Sequence, residues 1–275
     1  MSVAGYLRAL RPGLPPDVYV LHAGLVVTAV GNGAVIPFVL ARLRLRARTP
    51  SSETSAGYRE VLRDRAFVRL LGLNFAFVVA SVALINSMFP VFAKNEAGVG
   101  EDAIGLLFLL NSLLIVGVQL PVAKAIEGHR RARGLALMCL LFASCWSLVE
   151  LAGAAPAAAI ALLAVAVVCM GVGECLYDSI YGPLVADLTP EGRTGRYMGA
   201  SGLSWQLGFI TAPALGGAVL GLEPFALWPL AAGVALVAAA CSLRFESSLL
   251  PGLRRTPRRS PPRPGPEAQA AEAVP

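Results

Sequence analysis

The chain has 275 residues, of which 56% are hydrophobic and 15% charged, with a mean hydropathy of +0.67 and a formal net charge of +6. Soluble domains carry charge on about a quarter of their residues, so this balance excludes an ordinary soluble domain and makes lipid the solvent for most of the chain. The positive charge is spread over connecting segments rather than gathered on one folded face, which excludes a nucleic-acid footprint and leaves a topology signal.

Seven apolar runs are long enough, or nearly so, to cross a hydrocarbon core as helices of about 20 residues: 18–41, 70–93, 103–123, 134–149, 151–173, 197–222 and 224–243. The fourth is short and is expected to borrow Glu150 or residues beyond it. The runs are apolar on all faces, with Gly and Pro interspersed, and lack the alternation of a membrane β-barrel. The sequence therefore predicts an all-α membrane protein of about seven transmembrane helices.

In chain order, residues 1–17 form a cytoplasmic-type segment with Arg8 and Arg11, and 18–41 form the first helix. The first run is longer than a usual signal core and lacks a clear cleavage site, so it reads as a span. Residues 42–65 form an Arg-rich loop with Arg42, Arg44, Arg46 and Arg48 and an amphipathic lead-in. By the positive-inside rule this loop is cytoplasmic. The later connections then alternate: 94–102 is acidic, 124–133 basic, Glu150 acidic, Arg193 and Arg196 sit in a mixed loop, and Glu223 is acidic. The six helices of 66–244 fit this pattern throughout. The first helix does not, because both of its flanks are positive. The tail, 245–275, is rich in Pro, Arg and Ala and reads as disordered and solvated, with contact to anionic headgroups the less favoured alternative. Cys139, Cys145, Cys169, Cys175 and Cys241 lie in or beside spans and read as packing residues.

Glu174 and Asp178 are the sharpest functional candidates, since an ionisable group within a span is costly and usually faces a cavity or a partner. They are four apart and share a helix face, with Tyr181 continuing the stripe and Tyr177 beside it. Proton or substrate contact is one reading; an interfacial pair with loop arginines is the other. Asn111 and Gln206 are mid-helix amides that either line the same pathway or bond between helices, as do Asn74, Asn86 and Gln119. Trp228, near the outer end of its helix, reads as an interfacial anchor, and Trp205, lying deeper, as a cavity wall.

Three passages carry a family resemblance: "GYREVLRDRAFVRLLGLNF", "QLPVAKAIEGHRRARGLAL" and "GVGECLYDSIYGPLVADLTPEGRTGRYMGASGLSWQLGFITAPALGG". In this order and spacing, residues 58–244 resemble the second six-helix half of a major facilitator transporter of the bacterial drug-exporter kind. They look like the lead-in to its seventh helix, the turn between its eighth and ninth, and its tenth helix through its eleventh. Residues 11–40 resemble the family's first helix, and helices two to six have no counterpart. Losing an odd number of spans would put the two retained pieces in conflict over orientation, as the charges around 18–41 already indicate. That helix must then invert, stay out of the membrane, or be compensated by a partner.

The resemblance also implies roles. Segment 123–133 occupies the place of the family's cytoplasmic gating motif, echoed weakly by Glu127, Arg130 and Arg131; a plain positive-inside turn is an equal reading. Segment 187–199 resembles the corresponding loop two helices on, and pairs Arg193 and Arg196 with Asp187 or Glu127 when the cytoplasmic side closes. Gly208, Ala212, Pro213, Gly216 and Gly217 resemble an antiporter pattern, which close helix packing also explains.

Function follows from the resemblance as proton-linked efflux of small molecules across the plasma membrane by a multi-pass protein. The expected partners are lipid, a small-molecule substrate, and a second copy or another half-transporter; no cofactor, metal or nucleic acid is expected. The alternative is a membrane remnant that does not transport. A seven-helix receptor matches the helix count, but the resemblance accounts better for each segment. His22 and His129 stand apart from any nucleophile or metal constellation, so no enzyme is expected.

Overall fold

The computed structural model describes Arg59 and residues 61–257; the first predicted helix, most of the Arg-rich loop and the end of the tail lie outside them. The described residues form helices α1 (Arg65–Val79), α2 (Val82–Ser87), α3 (Phe89–Asn95), α4 (Glu101–Ala125), α5 (Arg131–Ala154), α6 (Ala159–Leu188), α7 (Thr194–Leu222) and α8 (Leu227–Phe245). With α1 and α2 taken as one, six spans are long and apolar enough to cross a membrane. This is the all-α, multi-span membrane architecture expected.

Local chemistry sets the helix ends. Asp64 caps α1, its Oδ1 accepting from the amides of Ala66 at 3.1 Å and Phe67 at 3.0 Å. Gly98, in the left-handed region at φ 66°, turns the chain ahead of α4. Glu101 and Asp102 then occupy the first turn of α4 and Lys124 its last, each placed to suit the helix dipole. Pro156 and Pro224 open short 3-10 turns ahead of α6 and α8. Helix α5 takes in Glu150 and ends at Ala154, so the fourth run is lengthened as expected. The fifth span is shifted: Leu151–Ala154 complete α5, and α6 runs from Ala159 through Asp187 to Leu188.

The run 70–93, expected as one helix, is three. The chain breaks at Ala80 and Ser81, with no Pro or Gly to announce it. In lipid a freed carbonyl must find a partner within the protein. Trp146 on α5 supplies it, its indole Nε1 donating to the Ala80 oxygen at 2.5 Å, while the Ser81 hydroxyl donates back to the Phe77 oxygen.

Helix packing follows the order α4, α6, α5, α8, α1, α7, with α2 also against α7 and α3 against α5 and α4. Helices α4 and α7 end this row and bury far less of their surface than α1 and α5. Their outward leucines, including Leu113, Leu120, Leu203 and Leu215, are exposed. Trp228 is not an interfacial anchor. It is fully buried, stacked on Trp146 at 5.0 Å and edge-on to Phe92 at 5.1 Å, because α8 turns its Trp228, Ala231 and Ala235 face inward.

Candidate functional site

Helix α6 carries the polar groups, and its neighbours on either side meet them. Glu174 is half-buried, with Oε2 accepting from Asn111 Nδ2 of α4 at 3.2 Å. The two helices approach closely here because Gly171 has no side chain: a Cβ there would stand 2.7 Å from Asn111 Oδ1 and 2.5 Å from Leu114. Two turns further along α4, Gln119 donates to Ser179 Oγ of α6 at 3.1 Å.

Toward α1 and α7, Tyr177 OH donates to Asn74 Oδ1 at 2.6 Å. Asn74 Nδ2 donates to Ser204 Oγ at 3.2 Å, and Ser204 closes the chain on the Leu71 carbonyl at 2.8 Å. Tyr181 shares a hydrogen bond with Ser201 Oγ at 2.8 Å, and its ring stacks on Tyr177 at 4.9 Å. Trp205 packs on Tyr177 at 5.6 Å. A narrow cleft between α1, α2, α5, α6 and α7 is lined by Phe77, Met138, Phe142, Glu174, Tyr177 and Trp205. An acid, a phenol and an indole thus border one small, almost wholly apolar slot.

Of the pathway candidates, Glu174, Asn111 and Tyr181 join this network. Asp178 lies one turn from Glu174 and is exposed. Gln206 is not brought to the cluster. At about 100° per residue, Trp205 and Phe209 face inward while Gln206 shares the exposed face of Leu203, Leu207 and Ile210. Ser179, Ser201 and Ser204 escaped notice in the sequence, since a small hydroxyl in a helix can bond its own backbone and signals nothing by its presence.

At the opposite end of the network, the basic turns meet. Arg131, the first residue of α5, is 1% exposed and paired with Asp187 at the end of α6. Arg130 pairs with Glu246 beyond α8 at 3.2 Å. Arg193 and Arg196, expected to pair with Asp187 or Glu127 when the cytoplasmic side closes, lie in the α6–α7 connection and the first turn of α7, and Arg131 reaches Asp187 across the antiparallel α5–α6 contact. Glu127 lies in the turn between α4 and α5.

The sequence profile of the Major Facilitator Superfamily matches residues 71–274. The chain belongs to the major facilitator superfamily. Among curated facilitator proteins, it is similar to the multidrug resistance protein MdtH of Aeromonas hydrophila subsp. hydrophila. The two are 30% identical over 204 residues, which is 74% of this chain and 48% of that protein. MdtH of Aeromonas salmonicida is 29% identical over 205 residues, with the same shares covered. The chain therefore spans about half the length of the facilitators it matches.

Proposed function

We propose that this facilitator chain takes part in proton-linked efflux of small molecules across the plasma membrane, its six described spans forming one wall of the substrate path. A second six-helix unit, from another copy or another chain, supplies the facing wall. One observation carries the reading: Glu174, held by Asn111 at the α4–α6 contact, opens on a cleft walled by Tyr177, Trp205, Phe77 and Phe142. A carboxyl at such depth is retained where it binds a proton or a cation. The similarity to proteins named for multidrug resistance supports a lipophilic cargo. Tyr181 and Asn111 are assigned to the same path, with Asp178 one turn from Glu174; Gln206, which faces away from the cluster, is left out of it, and Glu127, Arg130, Arg131, Asp187, Arg193 and Arg196 are assigned to the gate at its cytoplasmic end.

The test is retention of a fluorescent lipophilic cation by cells producing the chain. Retention should fall in producing cells, and Glu174→Gln or collapse of the proton gradient should restore it. Unchanged retention with the protein present in the membrane favours the non-transporting remnant and sinks the efflux reading.

A further inference from the structure

After α8 the chain does not leave the bundle. It turns through two 3-10 segments, Glu246–Ser248 and Pro251–Leu253, and lies antiparallel along the turn joining α4 to α5. Three backbone bonds join them: the Gly128 amide to the Thr256 oxygen at 3.0 Å, the Arg131 amide to the Arg254 oxygen at 2.9 Å, and the Thr256 amide to the His129 oxygen at 3.0 Å. The Thr256 hydroxyl also donates to the Ile126 oxygen, and Arg255 Nη1 to the Gly128 oxygen at 3.0 Å. Leu249 and Thr256 are buried beneath this contact.

We propose that residues 249–257 are a latch that positions Arg130 and Arg131, holding the basic ends of α4, α5, α6 and α8 together. The placement gives the reason. Helix α4 stands at the end of the row of helices and packs mainly on α6, so its basic end is braced on one side only. The latch ties that end to the far side of α5. It also takes up the Arg131 amide at the start of α5, a group that a helix leaves without an internal partner, and gives the Ile126 carbonyl at the end of α4 a second donor beside the His129 amide. With its backbone so fixed, Arg131 enters its pair with Asp187 and Arg130 its pair with Glu246. That Arg130 and Arg131 belong to a gate rests on the transport reading above; the latch itself does not.

Hydrogen–deuterium exchange of the full chain in lipid nanodiscs tests it. Thr256→Pro removes the amide that donates to His129, Thr256→Ala removes only the hydroxyl, and Thr256→Ser keeps both. Loss of one to two such bonds should speed exchange across 126–131 by about tenfold in the Pro variant, less in the Ala variant, and not in the Ser variant. Exchange at 186–193 should rise with it, because Asp187 loses a fixed partner. No rise at 126–131 in the Pro variant overturns the latch, and so does a rise spread equally over the α5 core. A rise at 126–131 with 186–193 unchanged overturns the positioning of Arg131. A chain that shows the expected exchange but moves no substrate sinks the transport reading alone.

Discussion

Arg131 and Asp187 differ sharply in environment: the guanidinium side chain is 1% exposed and the carboxylate 38%. Removing one partner of such a pair is costly only if the other is left buried. Asp187→Asn strands the guanidinium charge in the protein and should cost about 3 kcal/mol. Arg131→Met leaves an acid that water can reach and should cost under about 1 kcal/mol. Denaturant unfolding in detergent measures both, and equal losses would contradict the asymmetry. Glu174 and Asn111 were legible in the sequence because an acid or an amide deep in a span is expensive enough to need a reason. The Arg131 pairing was not, since loop charges are cheap and any of several arginines near Asp187 could have taken it.

Helix α7 meets α1 and α2 along a stripe of small residues. Gly208 and Gly216 are buried there, and a Cβ at Gly208 would stand 2.6 Å from Val78 Cγ1, whereas one at Gly217 meets nothing within 4 Å. The spacing of Gly208, Ala212 and Gly216 gave the stripe away, and the contact with Val78, Leu84 and Met88 favours its packing explanation. Gly208→Ala should therefore destabilise by about 1–3 kcal/mol through overpacking. Gly217→Ala should be neutral or stabilising, by up to about 1 kcal/mol from helix propensity. Thermal unfolding of the two variants in one detergent checks the difference in sign. The break between α1 and α2 had no such signature: Ala80 and Ser81 are tolerated in helices, and the break persists because a residue 66 positions away, Trp146, bonds the freed carbonyl.

For the molecule as a whole, the six described spans place Asp64, the α4–α5 turn, the α6–α7 connection and the end of α8 at one end. Lys94, Glu101, Phe92 and Phe225 meet at the other. The positive-inside rule assigns the first end to the cytoplasm. A cysteine replacing Asn95 should then react with an impermeant maleimide added outside intact cells, and one replacing Thr194 only after the membrane is opened. Reaction of both from outside would reverse or mix the orientation. The exposed leucines of α4 and α7 lie at the two ends of the helix row and suit an apolar surrounding.

The sequence alone determined the class, the number of the described spans, the family and the acid on α6. The class, the spans and the acid rest on composition, hydropathy and charge, which act locally: a run of twenty apolar residues or a cluster of arginines needs no distant partner to have its effect. The family rests on the resemblance of particular passages in their order and spacing. The partners of those groups waited on the tertiary structure. Which arginine holds Asp187, which indole mends the break at Ala80, which way Gln206 faces and how the segment after α8 clasps the α4–α5 turn depend on helix order and rotation, fixed by packing between residues far apart in the chain.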